Sequence, residues 1–326
     1  MEAKAVALER LSIGGGESME SRPWIDIVEG NTARHGCLVA GIDPFLPDIP
    51  SFFEEDNGGA WIERYVQFLL DTIEGHVGFI KFQSAYFEAC GIPGLAALSA
   101  GMRRARAAGI GVIFDAKRAD IDPTASAYAR AYLTPAHAGG SGDFETDCLT
   151  VNPLMGPDSL EPFVECVRRY GKGLLVICRT SNPDASWLQD RMAGNRSISD
   201  WVAELIGSFA MKTELSDRLS PIGAVVGATI PQGGRLLRQL LPRSIILAPG
   251  LGAQGGDPAT IRSLRGSRPG DVLVPVSRGL TRVEDRSISI SAYRKIIVER
   301  LDGFRQAVAD GQPHILASTA TPPVAA

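Results

Sequence analysis

Short apolar runs alternate with longer amphipathic stretches along most of this chain. Each run is followed by a loop that contains Asp, Gly, Asn or Pro, and then by apolar positions with helical spacing. Runs that are apolar throughout, rather than alternating with polar residues, are typical of parallel strands buried on both faces. We therefore predict eight strands, at 38–43, 78–83, 111–117, 148–153, 173–180, 222–229, 244–250 and 271–278.

Helical patterns occupy the intervals between these runs and follow the last one. They cover 61–74, 94–108, 122–135, 158–170, 198–212, 231–241, 258–265 and 289–309. Eight strands that alternate with eight helices fit an α/β (β/α)8 barrel better than an open doubly wound sheet. No change of composition marks a linker, so we predict a single barrel domain at 23–310. A flexible N-terminal arm at 1–22 and a disordered C-terminal tail at 311–326 would flank it.

Composition narrows the class of protein. The chain is 44% hydrophobic and 21% charged, which is typical of a globular domain. A net charge of -4, without a long Lys/Arg run, argues against a nucleic acid or membrane-surface partner. No apolar stretch is long enough for a membrane helix, and no signal-peptide pattern begins the chain. The five scattered cysteines and four histidines lack ligand spacing, so we expect reduced thiols, a cytoplasmic protein and no structural metal.

Charged residues stand at the ends of the first three predicted strands. Asp43 ends the first strand, Lys81 lies near the end of the second, and Asp115 and Lys117 end the third, with Asp120 just beyond. In a barrel these positions share the C-terminal rim, where such folds carry out their chemistry. One polar residue at a strand end is ordinary, but five on three successive strands would converge on one pocket. We interpret them as a candidate active site.

The segment from Asp115 to Asp122 suggests a particular chemistry. Lys117 stands between Asp115 and Asp120, and nearby negative charge keeps an ammonium group protonated. A protonated lysine is a poor Schiff-base nucleophile but a suitable proton donor to a developing carbanion. Two carboxylates nearby would also repel a substrate carboxylate until it leaves as CO2. The alternative is a surface salt-bridge cluster of little value, which the preceding buried strand disfavours. Arg118 and Asp122 we interpret as structural or solvated charges.

A second group of residues predicts a phosphate site. The segment 248–258 contains four glycines whose backbone amides could point at one anion, and Arg278 follows in the next strand–loop segment. The loops after strands seven and eight are the usual phosphate site of barrels, and a guanidinium binds phosphate with two parallel hydrogen bonds. An ordinary turn is the alternative for the glycines alone. The absence of GxxxxGK[ST] argues against a nucleoside triphosphate loop.

Taken together, these segments resemble the orotidine 5'-phosphate decarboxylase family, in its longer bacterial subgroup (type 2). The family signature Asp-x-Lys-x-x-Asp-Ile-x-x-Thr occupies 115–124, and the likeness extends over roughly residues 22–305. Other segments follow the order of the subgroup, at 41–44, 81–88, 152–163, 178–183, 223–229, 249–257 and 277–279.

The resemblance implies decarboxylation of orotidine 5'-phosphate to UMP and CO2, in de novo pyrimidine biosynthesis, without cofactor or metal. Lys117 would donate a proton to C6 of the pyrimidine, and Asp115 would lie beside the substrate carboxylate. Lys81 and Asp43 would bind ribose hydroxyls and continue the charged chain to Asp120.

The resemblance also implies a homodimer, in which Asp120 and Thr124 reach the active site of the neighbouring subunit. The remaining substrate-binding candidates are Ile121 in the same signature, Asn152 and Thr180 near the uracil ring, and Gln254, Gly255, Gly256 and Arg278 at the phosphate.

Two other functions stay open at this point. One is a Mg-dependent sugar-phosphate decarboxylase or synthase, which shares the Asp-x-Lys-x-x-Asp pattern but uses the acids to hold the metal. The other is a non-catalytic nucleotide-binding barrel. Activity that survives EDTA would favour the metal-free nucleotide enzyme over the first alternative.

Overall fold

Eight parallel strands close into a barrel, which confirms the predicted α/β class. The computed structural model describes residues 22–54, 60–213, 217–228, 234–252 and 256–310. Each strand pairs with its neighbours in the sequence, and the first strand also pairs with the last. The strands are β1 Leu38–Ile42, β2 Phe79–Gln83, β3 Gly111–Arg118, β4 Cys148–Val151, β5 Gly173–Arg179, β6 Ser220–Val226, β7 Ser244–Leu247 and β8 Val272–Val276.

Helices surround the barrel, and each of the eight predicted helical patterns corresponds to one of them. Within the described ranges the helices are α1 Trp24–His35, α2 Ala60–Ile73, α3 Ser84–Glu88, α4 Gly91–Ala107, α5 Thr124–Leu133, α6 Glu161–Tyr170, α7 Ser186–Gln189, α8 Ile198–Met211, α9 Gly234–Leu240, α10 Pro258–Leu264, α11 Arg278–Thr281 and α12 Ile290–Asp310. None of these helices is both long and apolar enough to cross a bilayer. The predicted tail at 311–326 and nearly all of the predicted arm lie outside the described residues.

Helix α1 was not predicted, and it closes the amino-terminal end of the barrel. Its side chains Trp24 and Ile27 pack against the inward-facing residues of the strands in one buried cluster. The strands make room for it with glycine: a Cβ on Gly173 would meet the Trp24 ring at 2.5 Å, and one on Gly111 would meet Ile27 at 2.8 Å. The barrel therefore has a packed floor at this end, and its opposite end is left for function.

A second buried cluster lies between the strands and the outer helices. All seven residues of β6 are buried, as the unbroken apolar pattern predicts for a strand covered on both faces. Burying one large aliphatic or aromatic side chain stabilises a fold by about 1.5–3 kcal/mol. The two concentric layers together hold the strand ends in fixed positions around the rim.

The two long predicted loops contain short structure of their own. Residues 136–147 include a single 3-10 turn and also contain Glu145, whose carboxylate pairs with Lys172 at 2.7 Å and with Arg106 at 2.7 Å. Residues 181–197 contain α7 and a small hairpin that pairs Met192–Ala193 with Arg196–Ser197. The first loop ties the amino-terminal side of the barrel together, and the second begins at the opposite rim.

Candidate active site

Four of the five predicted charged residues form one network at the C-terminal rim. The Lys81 Nζ lies 3.0 Å from Asp115 Oδ2 and 3.7 Å from Asp43 Oδ1. The Lys117 Nζ donates to Asp115 Oδ1 at 2.6 Å. Charges therefore alternate in the order Asp43, Lys81, Asp115, Lys117, and each carboxylate faces at least one ammonium group.

Burial and charge together fix the ionisation of the central pair. Burial by itself raises the pKa of Asp115. The adjacent charges of Lys81 and Lys117 outweigh burial and hold this pKa well below its usual range. Burial lowers the pKa of Lys81, and the charges of Asp115 and Asp43 outweigh it, so that this pKa is raised. Both groups are ionised at neutral pH, while the Lys117 side chain, 45% exposed, stays accessible to a ligand.

The backbone of Lys117 departs from a regular strand. Its φ angle is +48°, in the left-handed region that residues other than glycine seldom adopt. The β3–β4 pairing slips here: Phe114 faces Leu149 and Arg118 faces Val151, so three residues of β3 stand opposite Thr150 alone. Such a bulge re-aims side chains next to active sites and costs of order 1–3 kcal/mol of strain. The bulge, rather than simple alternation, turns Lys117 towards Asp115.

Two polar residues that sequence reasoning missed complete the network. The Thr150 hydroxyl donates to Asp115 Oδ1 at 2.9 Å and accepts the backbone N–H of Lys117 at 3.0 Å. The Gln83 side chain accepts from Lys81 Nζ at 3.1 Å and donates to the Asp115 carbonyl at 3.2 Å. The available signal was a polar residue within, or at the end of, an otherwise apolar strand.

Arg118 anchors the end of β3 on the outer side of the barrel. Its guanidinium pairs with Glu88 and contacts Ser84 on α3. The same group lies over the rings of Tyr128 and Tyr132 on α5, at 5.5 and 6.0 Å from the ring centroids. This is the structural role that we expected for Arg118, and it places the charged residue next to Lys117 outside the site.

A cavity of about 440 Å³ opens above the network. This volume is suited to a small-molecule ligand. The charged network, Thr180 and Arg278 all line this cavity. The remaining lining includes Gln83, Ser181, Asn182, Val225, Leu247, Pro249, Gly250, Leu251, Pro275, Ser277 and Gly279.

A larger cleft, of about 840 Å³, lies at the amino-terminal end between α1 and α12. Two of its arginines, Arg265 and Arg268, already donate to the backbone carbonyls of Val308 and Asp217. It lacks the linked lysines and carboxylates of the rim, so we assign the candidate active site to the smaller cavity.

The predicted phosphate residues fall into three groups. Arg278 lines the cavity, and its exposed guanidinium has no hydrogen-bonding or ion-pair partner among the described residues. Gly256 does not line the cavity, and its N–H donates to the Gly250 carbonyl at 2.8 Å. Gln254 and Gly255 lie outside the described residues. Of the two predicted phosphate-binding residues that the structure describes, Arg278 lines the cavity of its own chain and Gly256 does not.

Of the other predicted residues, Asp120, Ile121, Thr124 and Asn152 do not line the cavity of their own chain, whereas Thr180 does. The Asp120 carboxylate accepts the N–H of Ile121 at 2.8 Å, and Thr124 is exposed at the start of α5. The Asn152 side chain accepts the N–H of Leu154 at 3.0 Å and so holds the turn after β4. Thr180 does line the cavity, where its hydroxyl lies 2.6 Å from the Asn182 side-chain oxygen.

Metal ligands are not grouped in the described part of the chain, where no three His, Cys, Asp or Glu side chains are placed to hold an ion. Within the network, both carboxylate oxygens of Asp115 are engaged by ammonium groups. Asp115 is therefore arranged as the partner of two lysines.

Fold and site together place the chain among the (β/α)8 barrels that carry a lysine–aspartate network at the carboxyl ends of their strands. Comparison with known proteins narrows this class. The family model described as orotidine 5'-phosphate decarboxylase / HUMPS family matches residues 59–293. The chain belongs to this family.

Individual relatives agree with the family match. The orotidine 5'-phosphate decarboxylase of Rhodopirellula baltica is 38% identical over 253 residues, covering 76% of this chain and 83% of the relative. That of Caldicellulosiruptor bescii is 34% identical over 266 residues, covering 78% and 87%. Among solved structures, an orotidine 5'-phosphate decarboxylase from Streptomyces avermitilis superposes with a TM-score of 0.74 at 32% identity, covering 91% of this chain and 100% of that one.

Proposed function

We propose that the protein decarboxylates orotidine 5'-phosphate to UMP and CO2, as the last step of de novo pyrimidine biosynthesis. The observation that carries this proposal is that the Asp43–Lys81–Asp115–Lys117 network and Arg278 line the same cavity. A cavity that holds both a lysine–aspartate network and an arginine suits a ligand that carries both a carboxylate and a phosphate. The curated relatives carry the same activity in their names.

The proposed reaction begins with the substrate carboxylate beside ionised Asp115. The C6–carboxylate bond breaks, CO2 leaves as a neutral molecule, and the electron pair stays on C6. Lys117 then donates its Nζ proton to C6 and later regains a proton from solvent. The electron pair on C6 lies in the plane of the ring, orthogonal to the π system, so the ring cannot delocalise it and the fixed charge of the lysine stabilises it instead. Departure of CO2 also relieves the repulsion between the two carboxylates.

The rest of the substrate is bound by residues along the cavity. Asp43 Oδ1 is buried without a hydrogen-bond partner among the described residues, which suits a ribose hydroxyl donor. Arg278, whose guanidinium has no partner among the described residues, binds the 5'-phosphate together with Gln254, Gly255 and Gly256. The Gly256 amide must exchange its bond to the Gly250 carbonyl for one to phosphate. Near the pyrimidine ring, Thr180 lines the cavity, and Asn152 requires a change in the β4 turn.

The active form that we propose is a homodimer in which Asp120 and Thr124 reach the cavity of the partner subunit. Three exposed apolar residues support it: Ile121 is 58% exposed, Leu154 75% and Met155 50%. All three follow β3 or β4 on the same rim as the cavity. An apolar group at a catalytic rim is typical of a surface that another chain covers.

The cell compartment that we propose is the cytoplasm. The five cysteines, all of them described, are free thiols, and thiols stay reduced in that compartment.

The absorbance of orotidine 5'-phosphate tests the activity directly. Purified protein without added metal is expected to bleach this absorbance, at the same rate with and without EDTA. Bleaching that EDTA abolishes would contradict a metal-free reaction, and no bleaching at all would favour one of the two alternatives, the Mg-dependent sugar-phosphate enzyme or the non-catalytic barrel. Lys117→Ala should lower kcat by about 10²–10⁴-fold, the usual contribution of general acid catalysis, with the fold retained. Lys295→Ala, on the exposed face of α12, is the matched control.

A further inference from the structure

Thr150 is a buried residue on β4 that the substrate contacts proposed above do not use. It is fully shielded from solvent, and its hydroxyl stands between the Asp115 carboxylate and the backbone of Lys117. We infer that Thr150 is a positioning residue, whose single hydroxyl holds both members of the Asp115–Lys117 pair in their reactive geometry. This inference rests on the proposed decarboxylation and deepens it.

The direction of both hydrogen bonds is determined by chemistry. An ionised carboxylate can only accept, so the hydroxyl proton of Thr150 must point at Asp115 Oδ1. The backbone N–H of Lys117 can only donate, so it uses a lone pair on the same oxygen. Only a group that donates and accepts at one point fits this position. Valine, with the same shape, would supply neither bond.

The bulge in β3 explains why a side chain is needed there. Three residues of β3 face Thr150, so the regular ladder of backbone hydrogen bonds is interrupted at Lys117. The Thr150 hydroxyl replaces the missing carbonyl acceptor for the Lys117 N–H. A left-handed φ on a lysine persists only where its surroundings enforce it. Thr150 therefore links the strained backbone of Lys117 to Asp115, the carboxylate that the Lys117 side chain also binds.

A matched control is Thr146, which lies four residues before Thr150 and just before β4. Thr146 is also fully shielded from solvent, and its hydroxyl donates to the carbonyls of Val112 and Cys148. It sits at the amino-terminal side of the barrel and makes neither of its hydrogen bonds to the charged network. Thr146→Val therefore removes a buried hydroxyl of the same kind without touching the site.

Steady-state kinetics of Thr150→Val, Thr150→Ser and Thr146→Val test the inference. Thr150→Val should lower kcat by about 10- to 100-fold, or about 1.4–2.7 kcal/mol, with KM and the Kd for UMP changed less than about twofold. Thr150→Ser keeps the hydroxyl and should recover kcat to within about threefold of wild type. Thr146→Val should lose stability but keep kcat. If Thr150→Val does not fold, Thr150→Cys, with its weak hydrogen-bonding thiol, takes its place.

A crystal structure of the same variant separates failure of this inference from failure of the proposed function. In Thr150→Val, Lys117 should leave the left-handed region and its Nζ should move off Asp115. An inactive wild type would overturn the proposed function, while this structural readout would still decide the role of Thr150. An unchanged Lys117 conformation, a kcat equal to that of Thr146→Val, or a Thr150→Ser as impaired as Thr150→Val would overturn the inference.

Discussion

At the scale of single residues, the site depends on matching each buried charge with an opposite one. Lys81 and Asp115 are both almost fully buried, and each would be costly to bury alone. The strand-end positions of these residues were predictable because a strand leaves the core at a definite point in the pattern. The only sequence signal for Thr150 and Gln83 was one polar residue within or at the end of an apolar strand, which is too common to single them out. The β3 bulge that brings Thr150 to Lys117 leaves no mark in the pattern.

Asp115→Asn is expected to destabilise the fold at neutral pH by about 3–5 kcal/mol, because it leaves buried Lys81 without its main partner. The folded pKa of Asp115 is depressed below its unfolded value, so its stabilisation is present above the unfolded pKa of about 3.8 and declines as pH falls from there towards the lower folded pKa. Denaturant unfolding of wild type and variant from pH 7 to pH 3 measures this. A gap in unfolding free energy that shrinks only below about pH 4 is expected, and a gap that closes near pH 6 would contradict it.

Arg278→Ala is expected to lower kcat/KM for orotidine 5'-phosphate by about 10- to 100-fold, because one or more charge-assisted hydrogen bonds to phosphate are lost. Turnover should fall as well as affinity, since phosphate binding energy supports the chemical step. Orotidine, which lacks the phosphate, should react equally with wild type and variant. Arg282→Ala, an exposed arginine one turn away, is the control, and equal kinetics for Arg278→Ala and Arg282→Ala would remove Arg278 from the phosphate site.

At the scale of elements, the most consequential one is α1, which seals the barrel floor. Trp24→Ala is expected to destabilise the protein by about 3–5 kcal/mol, because it empties a fully buried aromatic position. The kcat of the folded fraction should stay unchanged, since the rim is at the other end. Trp187→Ala removes a tryptophan that is 73% exposed and should change stability by no more than about 0.5 kcal/mol. Equal unfolding midpoints for the two variants would show that α1 is not part of the core.

The pattern of the sequence predicted the barrel strands and the long helices, but α1 and the short helices were missed. α1 has only twelve residues and contains Gly30, Asn31 and Thr32, all weak helix formers. Tertiary packing of Trp24 and Ile27 against the barrel outweighs that propensity. Helices of four or five residues, such as α3 and α7, are too short to show a helical period at all.

At the scale of the whole molecule, the single chain leaves the predicted site incomplete. Asp120 and Thr124 lie on the rim but outside their own cavity, next to the exposed group formed by Ile121, Leu154 and Met155. No sequence pattern states whether a residue acts in its own subunit or in another, because that depends on how two surfaces meet. Mixing two inactive variants decides the question.

Lys117→Ala and Asp120→Asn subunits, each inactive alone, should regain activity when mixed under conditions that allow subunit exchange. Half of the dimers would be mixed, and each would hold one complete site, so about a quarter of the wild-type activity is expected. Light scattering would confirm the dimer in every sample. If Asp120 acts within its own subunit, mixing restores nothing, and a monomer by light scattering would exclude the proposed assembly.

The placement of the chain ends has a practical consequence. The first described helix packs under the barrel floor, and α12 ends beside Cys37 and Arg265 on that same side. The described part of the chain, residues 22–310, therefore begins and ends on the face opposite the cavity mouth. A tag, fluorescent fusion or surface anchor joined directly at residue 22 or 310 would start on the side away from the substrate entrance, which suits oriented immobilisation.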